Sequence, residues 1–116
     1  MRFVGHVGGQ ELAELRSRAA VAVVPSRYAE ILPLAALESM AAGLPTVAAA
    51  SGGLIEAVPE EGHYRPGDVD ALAARLRALY GNADAGERAL ARARARWSPE
   101  VIARELEQIY AATSLA

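Results

Sequence analysis

Short apolar runs alternate with longer helical patterns along most of this chain, and that alternation leaves few architectures open. Arg2 to Val7 reads as a strand and Glu11 to Ala20 as a helix, with Leu12 and Leu15 turned inward. Val21-Ala22-Val23-Val24 is then a fully apolar strand, as expected where both faces of a sheet are covered. A helix opened by Pro33 stops at Gly43 with Pro45 two residues on, and Thr46 to Ala50 is the next strand. Ser51-Gly52-Gly53 turns into a short helix over Leu54 to Val58, ended by Pro59, and His63-Tyr64-Arg65 is a fourth strand. Helices follow over Asp68 to Tyr80, Asp84 to Arg96 and Pro99 to Ala112. Strands separated by helices form parallel sheets with crossover connections, so the fold class is α/β. In such sheets ligands bind outside the carboxyl ends of the strands. Three turns that follow a strand and precede a helix meet there: Gly5-His6-Val7, Pro25-Ser26-Arg27-Tyr28 and Ser51-Gly52-Gly53.

Two glutamates flank the Pro33 helix. Pro33 suits a first helical turn, where its missing N–H has no intrahelical partner, and it drives Leu32 out of helical geometry. Glu30 therefore lies on the entering loop and Glu38 more than a turn inside. At about 100° per residue, Leu34, Leu37 and Ala41 share one face with Glu38 beside them, while the opposite side offers Ala36, Ser39 and Met40. A helix apolar almost all round is expected to be buried, and a carboxylate on its packing side needs partners. Such a glutamate either meets a ligand or pairs with an arginine from another element.

With 116 residues, the chain is read as one domain over 1–116. A formal net charge of -2 gives no case for nucleic acid or an anionic membrane as the main partner. Cysteine is absent, which excludes disulfide and thiolate chemistry, and zinc would rest on two distant histidines. No run approaches the roughly 20 apolar residues of a membrane span, and the N-terminus lacks a signal-peptide stretch. The expectation is a cytoplasmic domain without metal or cofactor.

These motifs together resemble the C-terminal, donor-binding domain of GT-B glycosyltransferases, specifically glycosyltransferase family 4 (group 1). The pattern is a strand, Pro25-Ser26, Glu30 and Glu38 with seven residues between, a small-residue helix, Gly43-Leu44-Pro45-Thr46-Val47, then Gly52-Gly53 and Glu56. Phe3-Val4-Gly5-His6-Val7, Pro66-Gly67-Asp68 and Trp97-Ser98-Pro99-Glu100 match on the flanks. The resemblance implies a partial doubly wound, Rossmann-like parallel sheet with C-terminal helices, lacking the acceptor domain and the first strands of the donor domain. It implies a retaining hexosyltransferase that takes its sugar from a nucleotide diphosphate sugar. Glu30 would be catalytic, beside the reacting sugar carbon, and Glu38 would take the ribose hydroxyls. The backbone from Ile31 and Leu32 to Leu34 would face sugar and pyrophosphate, and that of Gly5, His6 and Val7 would border the base. Many members carry Gly-Phe-Gly where this chain has Ile31-Leu32-Pro33, so the donor is left open. The alternative is a non-catalytic nucleotide- or partner-binding module derived from such an enzyme.

The same resemblance makes Arg2–Val7 the third strand and Val21–Val24 the fourth of a sheet ordered 3-2-1-4-5-6, where they do not touch. Either strand edges are exposed, inviting dimerisation or swapping, or the two strands pair directly. A missing N-terminal domain or a partner chain is the expected complement. Of the remaining candidates, Asp68-Val69-Asp70 is read as a helix cap rather than a metal motif, His63 as structural, and Trp97 as a core anchor. Arg88, Arg92 and Arg96 read as a solvated basic stripe.

Overall fold

The computed structural model describes residues 1–114. Three parallel strands lie in sequence order: β1 (Ala22–Val24), β2 (Thr46–Ala49) and β3 (His63–Tyr64). Ala22 is in register with Thr46 and Ala48 with His63. The crossovers are α2 (Leu34–Ala41) between β1 and β2, and α3 (Gly53–Ala57) with a 3₁₀ turn (Glu60–Gly62) between β2 and β3. Helix α1 (Gly9–Arg18) precedes β1, and α4 (Val69–Leu79), α5 (Ala83–Trp97) and α6 (Pro99–Thr113) follow the sheet.

Strand β2 is central and buried along its whole length, which is why Thr46-Val47-Ala48-Ala49 shows no polar alternation. Its side chains feed two cores. Ala48 joins Met40, Leu54, Val58 and Ala89 on one side, while Val47 and Ala49 meet Tyr64 and Leu79 on the other. Apolar packing on both faces makes this a small doubly wound sheet.

Helix ends follow local chemistry. Helix α2 closes with Gly43 at φ +77°, its N–H donating to Met40 O and the Leu44 N–H to Ser39 O, a Schellman arrangement that glycine permits. Asp68 caps α4 by accepting from the Ala71 N–H at 2.8 Å, confirming a capping role for the Asp-x-Asp sequence. His63 Nε2 sits 2.9 Å from Val58 O, a structural tie.

Three expectations are corrected. Arg2 to Val7 forms no strand: the segment has no ladder partner among the described residues, and Phe3 is 88% exposed. Direct pairing with β1 is therefore not seen, and β1 remains an edge strand. Helix α2 is turned the other way from the periodicity reading. It buries Ala36, Ser39 and Met40 and leaves Leu34, Glu38 and Ala41 exposed. The small face allows close approach to the sheet and to α5, where a Cβ on Gly86 would stand 2.3 Å from Gly43 O. The arginine stripe is open to solvent at Arg88 and Arg96, as expected, but it is not merely solvated. Arg92 donates to the carbonyls of Glu56 and Ala57, Arg88 forks onto Glu61, and Arg96 lies 3.5 Å from Glu56, so the row clamps α5 to the α3 region.

Candidate functional site

The site is built where β1 and β2 end. After Val24 the chain passes through Ser26 to Glu30, whose Oε1 accepts a hydrogen bond from the Ser26 hydroxyl. After Ala49 it makes the Ser51-Gly52-Gly53 turn, and the two loops lock backbone to backbone. The Gly53 N–H donates to Glu30 O at 2.6 Å. A Cβ at Gly52 would lie 2.7 Å from Glu30 O, and one at Gly53 would lie 2.6 Å from Ile31 O. Gly52 also takes φ +51°, a conformation glycine tolerates best. The paired glycines therefore exist to let the Glu30 loop sit directly on α3.

That loop carries its neighbours outward. Ile31 is 98% exposed, and the Ile31 and Leu32 N–H groups donate to no group among the described residues. Pro33, at φ −81° and ψ 74°, forms an inverse γ-turn in which the Leu34 N–H donates to Leu32 O at 3.0 Å. The Leu34 donor is thus engaged within the loop, and Leu34 presents its exposed side chain instead. A cavity of about 220 Å³ opens beneath Ile31, Leu32 and Pro33, bounded by Gly53, Leu37 and Trp97. A second concavity, about 390 Å³, adjoins it through Leu37 and Trp97 and is edged by Leu34, Glu38, Ala41 and Leu90. Trp97 packs against the core with the Arg96 and Arg92 guanidinium carbons 5.0 and 5.8 Å from its ring centre, as an anchored wall.

Glu38 stands on the rim of this second concavity with its side chain 53% exposed. Its Oε2 accepts from Arg16 Nη2 at 2.6 Å. The two glutamates are therefore held by different elements: Glu30 by its own loop, Glu38 by α1. Gly5, with φ +69°, His6 and Val7 lie in the irregular segment before α1 and hydrogen-bond with neither glutamate. Arg16 is the site residue that sequence reasoning did not single out. A Leu12/Leu15 helix was legible, but nothing in its spacing marks the one residue of its last turn that reaches 22 positions along the chain.

The family described as glycosyl transferases group 1 matches residues 1–82 of this sequence. The chain belongs to the group 1 glycosyltransferases. Glycogen synthase from Mycobacterium tuberculosis is 41% identical over 118 residues, covering 96% of this chain and 28% of that protein. D-inositol 3-phosphate glycosyltransferase 2 from Catenulispora acidiphila is 40% identical over 126 residues, covering 96% of this chain and 29% of that protein. Among solved structures, sucrose-phosphate synthase from Thermosynechococcus elongatus superposes with a TM-score of 0.81 at 35% identity, over 97% of this chain and 30% of that one. This group 1 glycosyltransferase chain thus spans under a third of the length of these relatives, and its fold is that of part of a GT-B enzyme. No helix among its described residues is long and apolar enough to cross a membrane.

Proposed function

We propose that this chain is the donor-binding part of a retaining glycosyltransferase that moves a sugar from a nucleotide diphosphate sugar to an acceptor bound elsewhere. The observation that carries the reading is the glycine-locked loop, which holds Glu30 next to Ile31 and Leu32, two residues that line a cavity and whose N–H groups are free among the described residues. Unpaired N–H groups at the approach to a helix start suit a departing diphosphate without a metal. The Glu30 carboxylate lies where the sugar joins that diphosphate, and the Glu38 carboxylate accepts two ribose hydroxyls. Matched proteins with names as different as glycogen synthase and D-inositol 3-phosphate glycosyltransferase share this segment. A common segment under differing products supports a role on the donor side. Its complement is an acceptor-binding domain.

Calorimetric titration of nucleoside diphosphates tests the assignment. Glu38→Gln should weaken binding by about 1–3 kcal/mol, the range for hydrogen bonds to a charged group. Folding stability should barely move, because an exposed ion pair contributes about 0–1 kcal/mol. Unchanged nucleotide affinity in this variant dismisses the ribose role.

A further inference from the structure

We propose that Arg16 is a positioning residue for the nucleotide ribose, acting through Glu38; the inference rests on the donor-site reading above. The two members of this ion pair are unequal. The Arg16 side chain is 20% exposed and Glu38 is 53% exposed, so the arginine is the anchored partner and the carboxylate the presented one. Arg16 lies in the last turn of α1, where a cation suits the helix dipole. Arg16 lines a hollow with Leu12, Leu15 and Ala19, and its largely covered side chain has fewer rotamers open to it than that of Glu38. From there it bonds Glu38 Oε2 at 2.6 Å.

Two consequences follow for a ligand. A glutamate on an exposed helix flank samples several rotamers, and accepting two hydroxyls at once requires one of them. A fixed guanidinium bonded to Oε2 selects that rotamer and leaves the Oε1 lone pairs and the outer lone pair of Oε2 free. The guanidinium also offsets the Glu38 charge, which would otherwise repel a ligand bearing two phosphates from the rim of the cavity. Arg16 thereby joins α1, an element outside the Glu30–Glu38 motif, to ribose recognition.

The test compares binding of UDP, GDP and ADP with that of their 2′-deoxy forms, measured by calorimetry on the protein, Arg16→Gln, Arg16→Lys and Glu38→Gln. Glu38→Gln should abolish the preference for the ribonucleotide. Arg16→Gln should lower that preference by about two- to fivefold, the worth of an exposed ion pair expressed in affinity. Arg16→Lys keeps the charge without the rigid, planar guanidinium and should restore only part of it. A merely structural role would shift the unfolding midpoint and leave the ribo-to-deoxy ratio intact. If Arg16→Gln does not fold, the lysine variant decides: a reduced ratio supports the role and a wild-type ratio overturns it. A wild-type ratio in Arg16→Gln beside a lost one in Glu38→Gln overturns the Arg16 role alone. A ratio unmoved by Glu38→Gln, or no nucleotide bound by the protein, overturns the donor reading and this inference with it.

Discussion

Replacing Gly53 by alanine tests whether the Glu30 loop is held as described, because the structure fixes both the sign and the size of the effect. Gly53 is the first residue of α3 and has an ordinary negative φ, so backbone conformation raises no objection to a side chain. Helix propensity alone would make alanine more stable by about 0.5–1 kcal/mol. Against that, the new Cβ would stand 2.6 Å from Ile31 O, 2.9 Å from Glu30 O and 3.2 Å from Ile31 C. Relaxed carbon–oxygen contacts lie near about 3.3–3.6 Å, so the loop must retreat by most of an ångström. All three obstructing atoms are backbone, and the retreat stretches the 2.6 Å bond from the Gly53 N–H to Glu30 O. Overpacking costs about 1–3 kcal/mol and a weakened hydrogen bond up to about 1 kcal/mol. The net expectation is a loss of up to about 3.5 kcal/mol, centred near about 2 kcal/mol, after the propensity gain is subtracted. Gly9 is the matched control: it too begins a helix, and nothing lies within 4 Å of its would-be Cβ. Urea denaturation should therefore show Gly9→Ala neutral or slightly stabilised and Gly53→Ala clearly destabilised. Equal gains in both variants would refute the loop-locking argument, and with it the structural reason for the Gly-Gly pair.

Glu30→Ala should lower transferase turnover far more than affinity for the nucleoside diphosphate alone, the pattern of an interaction gained in the transition state; equal losses in both contradict its place at the sugar. Burial raises the Tyr64 phenol above its ordinary pKa of 10.0. The folded state thus keeps the proton while the unfolded chain releases it near pH 10. The Tyr64 contribution is constant below pH 10 and is lost as pH rises from there through the folded value. Denaturation series across alkaline pH should show a steeper decline in the wild type than in Tyr64→Phe, and parallel curves would refute the assignment.

Much of the fold was legible because its signals are local. Asp68 accepting from the Ala71 N–H, Ser98 before Pro99, and Gly43 followed by Pro45 are each decided within a few residues, so helix ends fell within a residue or two of their expected places. Arg2 to Val7 shows the limit of such signals. Its composition suits a strand, but a strand's hydrogen bonds belong to a neighbour, and the described residues supply none there. The arginine row failed for a related reason. Spacing of four places Arg88, Arg92 and Arg96 on one face, and only tertiary packing shows that Arg92 meets the last carbonyls of α3 while Arg88 and Arg96, still exposed, pair with Glu61 and Glu56.

The candidate site divides along the same line. Glu30 and Glu38 were visible as a motif, and the Gly52-Gly53 pair as a turn, but the reason for two adjacent glycines lies in a loop more than 20 residues earlier. The inward face of α2 was misread because its apolar residues are ranked differently by size and by fit. Leu34 can bury more area than Ala36 or Ser39, so hydrophobicity alone favours turning it inward, yet only Leu37 of the two leucines packs against the core, at its edge. Close packing of a short helix between a sheet and α5 favours the small face, and here Met40 fills what space remains. That reversal matters for function. Had Leu34 faced the core, Glu38 beside it would have been drawn inward, where a carboxylate must be paired or neutral. Turned outward, the same glutamate sits on the rim of a concavity beside Leu34 and Ala41, charged, open to hydroxyls and steadied by Arg16. A buried Glu38 would carry a desolvation cost before any ligand arrived; its exposure is what makes ligand binding by it physically cheap.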